Sequence, residues 1–309
     1  MLRQSAVALL TAASLVLAGC GAPAQQTGQA GSYAEITDDS GRTVSLAAKP
    51  QRIVVTSASF LAPLYAVGGT VVGRPVTKSH VIPEAESAAT IGPVYQIDAE
   101  KIIALTPDLV IINKGMNEKL IETLAANGIQ SLVIEMKSYA DVKREIGTFA
   151  ALTGEQARGE ELTAQMDADI AAVRASIPQE KKRIAIIHST GQGLSVQLSG
   201  SIAGNIAEML GWENTAADMP ALDKNPDAAP YSMETLVAQN PDIIFVTSMG
   251  EEAEIRASME AMFRESPAWQ SVTAIREGRV YYLPQEMFLF SPGIEYPAAV
   301  RYMARLIYP

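Results

Sequence analysis

The donors that could hold a metal, or a guest carrying one, are few and scattered. Only two histidines, His80 and His188, and one cysteine, Cys20, occur in 309 residues. A bare zinc- or manganese-type ion needs several nitrogen or carboxylate ligands converging, and two distant histidines supply it poorly. Tyr95, Met116, Met249 and Met287 add a phenol and three thioethers. Hydrolysis and phosphoryl transfer have no footing. Ser57, Ser189 and Ser195 lack the strand–turn–helix setting of a nucleophile elbow. Gly191-Gln-Gly193 lacks the Gly-Lys-[Ser/Thr] ending of a phosphate loop. No catalytic set can be read, so the chain is expected to bind rather than to catalyse.

A repeated carboxylate is the other chemical signal. Asp98-Ala-Glu-Lys-Ile-Ile-Ala-Leu-Thr-Pro-Asp-Leu-Val-Ile-Ile112 and Ser232-Met-Glu-Thr-Leu-Val-Ala-Gln-Asn-Pro-Asp-Ile-Ile-Phe-Val246 run almost in register, 134 positions apart. Each opens on a residue able to cap a helix, with Glu100 or Glu234 two places on, where the helix dipole favours negative charge. A short amphipathic helix follows, stopped by the restriction before proline, then an apolar run that reads as a strand buried on both faces. Any two αβ units of a doubly wound sheet share part of this grammar. The sharper reading is two lobes of similar build, each offering one exposed carboxylate at a matching place.

The surrounding pattern supplies the elements. Strands are expected at 52–56, 70–73, 131–135, 183–188 and 279–283 and in the two apolar runs, alternating with helices at 58–67, 118–127, 141–153, 202–210, 255–263 and 297–307. That alternation predicts parallel α/β sheets. Residues 33–46 around Asp38-Asp-Ser-Gly41 read as an edge hairpin. Segments 74–96 and 211–231, proline-bearing and without period, read as loops. The longest helical pattern, 155–177, is rich in Ala, Glu, Gln and Leu and is broken by Pro178. Its reach, roughly 35 Å at 1.5 Å per residue, suits a stiff connector between lobes and permits only modest closure. The fold class is therefore α/β: two doubly wound lobes, 35–154 and 179–309, joined by one long backbone helix, 155–178, with a ligand cleft between them.

The first residues are a separate device. Arg3 and the apolar stretch 6–17 form a short export signal, ending Leu17-Ala-Gly-Cys20. Small residues before a lone cysteine resemble the bacterial lipobox, which implies removal of 1–19 and lipidation of Cys20. An export signal with an incidental cysteine is the alternative. Residues 20–34 are a flexible tether of small polar residues. The expectation is a monomer on the extracytoplasmic face of the cell membrane, in the periplasm if an outer membrane is present. A formal net charge of −10 with no basic run argues against nucleic acid.

These residues together reach a known family. The lobe–helix–lobe order, the Glu-x-[Leu/Ile]-x-x-Leu-x-Pro-Asp unit once per lobe and the ending Trp269-Gln-Ser-Val-Thr-Ala-Ile-Arg-Glu-Gly-Arg-Val-Tyr281 resemble the helical-backbone (class III) substrate-binding proteins of ABC importers. Those proteins take up iron siderophores, haem and cobalamin. Gly73-Arg-Pro75, Ile91-Gly92 and Asn240-Pro-Asp-Ile-Ile244 bring the likeness nearest to Isd-type haem-binding lipoproteins. The resemblance implies an ABC permease dimer with its ATPase as partner, docked through Glu100 and Glu234. It also implies an iron chelate as guest, haem first, then a ferric siderophore, then cobalamin, with no catalytic cofactor. An extracytoplasmic enzyme acting on a metal chelate is the reading from another class.

In open α/β sheets the guest lies beyond the strands' carboxyl ends, which nominates loops 56–60, 74–95, 113–117, 188–193, 247–251 and 284–293. Haem asks for one or two axial donors, an apolar slot and partners for its propionates. By the resemblance, Tyr95 stands where Isd-type proteins place a methionine ligand and Met249 where they place a histidine, so both depart from that pattern while remaining possible iron ligands. Ser57, Arg74, Met116, Met287 and Phe288 complete the ligand-binding candidates. Arg74 or Lys114 could stabilise a tyrosinate at Tyr95. His188 at a strand end reads as a satisfied histidine, and His80 as a possible lid ligand.

Overall fold

The computed structural model describes residues 32–77 and 81–309. Cys20 and His80 lie outside them. Chain order begins with an antiparallel hairpin, β1 (Ala34–Thr37) and β2 (Thr43–Leu46). The first lobe follows: β3 (Ile53–Val55), α1 (Leu61–Ala66), β4 (Val71–Val76), β5 (Ala89–Pro93), α2 (Ala99–Ala104), β6 (Leu109–Asn113), α3 (Leu120–Ala126), β7 (Gln130–Ile134) and α4 (Tyr139–Thr153). Then comes α5 (Gln156–Ser176), 21 residues and about 32 Å long. The second lobe holds β8 (Arg183–Thr190), β9 (Gly193–Gln197), α6 (Ile202–Met209), β10 (Glu213–Asn214), β11 (Ala228–Pro230), α7 (Met233–Gln239) and β12 (Ile243–Met249). It closes with α8 (Glu252–Glu265), α9 (Pro267–Ser271), α10 (Thr273–Arg276), β13 (Val280–Tyr282), α11 (Gln285–Phe288) and α12 (Tyr296–Ile307).

The first sheet has the order β5-β4-β3-β6-β7 and is parallel throughout. The chain starts in the middle at β3, runs out to β5, then returns to β6 on the other side. The switch point therefore lies between β3 and β6, whose carboxyl ends carry Ser57 and the Lys114–Asn117 turn. The second sheet, β11-β9-β8-β12-β13, has parallel β8-β12-β13 pairing, with β10 also on β8. It is mixed, because β9 turns back antiparallel on β8 and β11 antiparallel on β9.

Three segments differ from the sequence reading. The expected loop 74–96 contains the end of β4 and the edge strand β5. Pro75 sits where the β4–β5 register shifts, past β4's last pairing with β3, and Pro93 ends an edge strand. Proline is tolerated at such places, and it hid the strands. The glycine-bearing stretch after His188 is a hairpin rather than a loop, and 211–231 contains β10 and β11, both too short to leave a pattern.

The duplicated units match down to the backbone. Among the described residues, Thr106 and Asn240 are the two non-glycine positions with positive φ, 46° and 43°, and they are equivalent in the repeat. The following aspartates do the same work. Asp108 accepts from the amides of Gln51 (2.6 Å) and Arg52 (2.9 Å) at the start of β3, and Asp242 from that of Arg183 (3.1 Å) at the start of β8. Asp98 caps α2 through the amides of Glu100 and Lys101, and Ser232 caps α7 through that of Thr235.

One apolar cluster runs through both lobes. It takes Phe60, Leu64 and Ile111 from the first, Phe149 from α4, Met166, Ile170 and Val173 from α5, and Ile186, Phe245, Tyr296 and Met303 from the second. The α4–α5 contact is close because Gly159 faces Ala150, where an added Cβ would come within 2.7 Å.

The hairpin is pinned to the first lobe by charge. Asp39 pairs with Arg144 at 3.0 Å and accepts from the amide of Glu135. Arg144 also holds the buried Glu145 at 2.8 Å, while the other carboxylate oxygen of Glu145 has no partner. Burial, reinforced by the charge of Asp39, pushes the Glu145 carboxyl up to about 8. The native state thus keeps a proton that the unfolded chain releases near its ordinary value of 4.5, so stability falls as pH rises through the window between the two. Glu145→Gln is expected to flatten that fall, read as urea midpoints between about pH 5 and pH 8.

Candidate functional site

Most of the large apolar side chains left in water stand at or just after the carboxyl ends of strands. Val76 ends β4, Tyr95 follows β5 by two residues, Met116 follows β6 by three, Met249 ends β12, and Phe290 follows α11 after β13; all are exposed, Tyr95 at 75 % and Met249 at 55 %. A single exposed apolar residue is ordinary, but here three stand at strand ends of the first lobe and two at strand ends of the second, which makes these ends the candidate site. Tyr33 and Leu222 complete the exposed set among the described residues and lie elsewhere.

In the first lobe the presenting turns are stiff. Gly92 has φ +103°, and a Cβ there would meet the Gln96 carbonyl at 2.6 Å. The Gln96 amide donates to Pro93 O (2.8 Å) and the Asp98 amide to Ile91 O (2.8 Å), closing the turn that carries Tyr95. The Met116 turn is closed by the Asn117 amide on Asn113 O (3.1 Å) and by the Gly115 amide on the Glu118 carboxylate (3.0 Å). The buried Asn117 side chain donates to Val94 O at 2.8 Å, which brings the two turns together. Ser57, half-buried, caps the short helical turn 58–60 by accepting from the Ser59 amide.

The two cations nominated as helpers of Tyr95 are occupied. Arg74 donates to the carbonyls of Pro75, Ala85 and Glu86, so it braces the turn at 83–85. Lys114 pairs with Glu135 at 2.8 Å, and that contact holds its ammonium above its ordinary value. Lys114 is therefore charge-paired, whereas Arg74 keeps its charge while bonded to neutral carbonyls.

In the second lobe, Gln285 at the start of α11 donates its side-chain amide to Gly250 O (2.7 Å), and its backbone amide meets the Glu252 carboxylate (3.0 Å). This couples the Met249 loop to the segment bearing Met287, which is half-buried against the main core. Phe288 departs from expectation. It is 2 % exposed, with its ring 6.1 Å from that of Tyr302, because a helical turn at 285–288 rotates it inward. It packs the core, and Phe290 is the exposed aromatic of the run. His188 Nδ1 lies 3.0 Å from Thr247 Oγ1, and burial lowers its pKa, so the imidazole is neutral near pH 7.

Glu100 and Glu234 are exposed in the first turns of α2 and α7. Both helices run back from the carboxyl edge to feed a parallel strand, so each carboxylate stands at the ligand-loop edge of its own sheet. Among the described residues no group of three or more His, Cys, Asp and Glu could hold a metal ion. Asn117 and Val76 fall in the nominated loops 113–117 and 74–95 but were not singled out there. Val76 lay in a stretch read as a loop, and nothing around Asn117 signals that its amide crosses to another turn.

A family profile described as periplasmic binding protein matches residues 53–287. The chain belongs to the periplasmic binding protein family. This periplasmic binding protein is 23 % identical over 303 residues to the Fe(3+)-citrate-binding protein YfmC of Bacillus subtilis, covering 94 % of this chain and 91 % of that one. It is 26 % identical over 298 residues to the iron(3+)-hydroxamate-binding protein FhuD of the same organism, covering 90 % and 89 %. The structure of IsdE from S. aureus complexed with heme superimposes with a TM-score of 0.72 at 18 % identity, over 84 % of this chain and 99 % of that one, which shows the fold. The two-lobed α/β build with one long connecting helix is thus that of the substrate-binding proteins of ABC importers, and the relatives are binding proteins, not enzymes.

The Tyr95 turn tolerates no Cβ at Gly92. Gly92→Ala is expected to cost about 1–3 kcal/mol, measured as a lowered urea midpoint at unchanged m-value.

Proposed function

We propose that this binding protein carries an iron chelate, haem first, between lobes 35–154 and 179–309 about the connecting segment 155–178, and hands it to an ABC permease dimer driven by its ATPase. The observation that carries the reading is Tyr95, three-quarters exposed on a turn closed by backbone hydrogen bonds, at the strand-end edge of its sheet with Met116, while Met249 is exposed at a strand end of the other lobe. A phenolate and a thioether suit ferric iron in a macrocycle that supplies the remaining ligands, and the apolar rim suits its faces. The names of FhuD, YfmC and the heme-bound IsdE support an iron chelate while differing in which one.

A second reading has its own observation. Lys114 is paired with Glu135, which leaves the propionates of haem, or an anionic citrate complex, without that cation. An uncharged ferric hydroxamate needs no such partner. Hemin titrated into the purified protein is expected to give a shifted Soret band that Tyr95→Ala abolishes. No spectral change, together with quenching of protein fluorescence by a ferric trihydroxamate, would move the assignment to the uncharged chelate.

Glu100 and Glu234 are the proposed docking charges, one per lobe, setting orientation and encounter rate on a two-fold partner more than affinity. Lipidated Cys20 would hold the protein, as a monomer, at the extracytoplasmic face of the cell membrane. The double variant Glu100→Ala, Glu234→Ala is expected to reduce uptake at least about tenfold with chelate affinity unchanged, since rim charges act on encounter. Uptake at the wild-type level would remove the docking role.

A further inference from the structure

Asn117 is an anomaly in the first lobe. It is 1 % exposed, and of its two side-chain polar atoms only one is used: Nδ2 donates to Val94 O at 2.8 Å, while the buried Oδ1 has no partner. Flipping the amide would set oxygen against the Val94 carbonyl, so this one bond fixes its orientation. A buried polar atom without a partner opposes folding, and an apolar residue of similar size would avoid that cost. The amide is therefore best explained by what its donor holds.

The donor holds the residue next to Tyr95. Val94 lies between Pro93 and Tyr95 in the turn closed by the Gln96–Pro93 and Asp98–Ile91 hydrogen bonds. The backbone of Asn117 is itself anchored: its amide donates to Asn113 O, and its carbonyl accepts from the Leu120 amide at 3.0 Å. Met116 is the adjacent residue. One buried side chain thus ties the loop after β5 to the loop after β6, and each loop offers an exposed apolar side chain to the same surface.

We infer that Asn117 is a positioning residue of the ligand surface, setting the Tyr95 turn against the Met116 turn through its bond to Val94 O. The inference rests on the reading of Tyr95 as a ligand contact, and its first measurement needs no ligand. Asn117→Leu keeps the volume and removes the donor, and Asn117→Ala serves if the leucine variant does not fold. In the free full-length chain either variant is expected to raise amide exchange at Gln96 and Asp98 about tenfold, the loss of one hydrogen bond, while core amides such as Val110 keep their wild-type rates. Unchanged exchange at Gln96 and Asp98, or faster exchange at Val110 to the same degree, would overturn the inference.

The second measurement is a double-mutant cycle with hemin and, in parallel, a ferric trihydroxamate, followed by quenching of protein fluorescence, which reports residual binding by the apolar rim after Tyr95→Ala has removed the Soret shift. Asn117→Leu is expected to weaken binding about tenfold in the Tyr95 protein and to have little further effect in Tyr95→Ala. Equal losses in both backgrounds would make Asn117 a general structural residue and reject the positioning role. If the wild-type chain binds neither probe, the chelate reading fails by itself, and the exchange result alone decides whether Asn117 sets the turn.

Discussion

The two lobes share one apolar core, and that core fixes how the two sheets sit against the long helix. The buried face of α5, through Gly159, Met166, Ile170 and Val173, packs into the same cluster as α4, α12 and the inner faces of both sheets. Each large side chain buried there contributes roughly 1.5–3 kcal/mol, so parting the lobes would expose far more apolar surface than a hinge of extended strands. Polar contacts lock the seam. Asn205 Oδ1 accepts from the Tyr139 amide of the first lobe (3.0 Å) and from the Tyr296 hydroxyl of the second (2.8 Å). Lys137 reaches from the first lobe to Asp227 of the second at 2.7 Å. The long helix is the one covalent connection, and it is packed on both sides, against α4 and α12.

On that stiff base the candidate site is made from ends of strands. Parallel strands deliver their carboxyl termini to one edge, and turns braced by backbone hydrogen bonds leave tyrosine and methionine side chains in water there. The charges that could have lined the surface are drawn into the protein, Arg74 to carbonyls and Lys114 to Glu135. Exposed apolar side chains and the exposed carboxylates Glu100 and Glu234 therefore share the strand-end edges of the two sheets.

The repeat deepens this symmetry. Thr106 and Asn240 both adopt a left-handed backbone before Pro-Asp, and the two aspartates grip the start of the neighbouring strand in the same way. That equivalence goes beyond what any two αβ units require. It sets Glu100 and Glu234 at corresponding corners, which is the geometry a two-fold partner can use.

The repeated unit, the α/β alternation, the long helix and the caps Asp98 and Ser232 were legible because each is local: a period, a capping residue, a proline stop. Glu100 and Glu234 were legible for the same reason. The edge strand β5 and the hairpin of β8 and β9 were not, because proline and glycine mask short strands whose only warrant is a neighbour. The inward turn of Phe288, the loss of Arg74 and Lys114 to protein partners and the amide of Asn117 under Val94 were decided by tertiary structure alone. In each case the outcome depends on which group lies within a few ångströms across the fold, and that distance is set by packing between elements far apart in the chain.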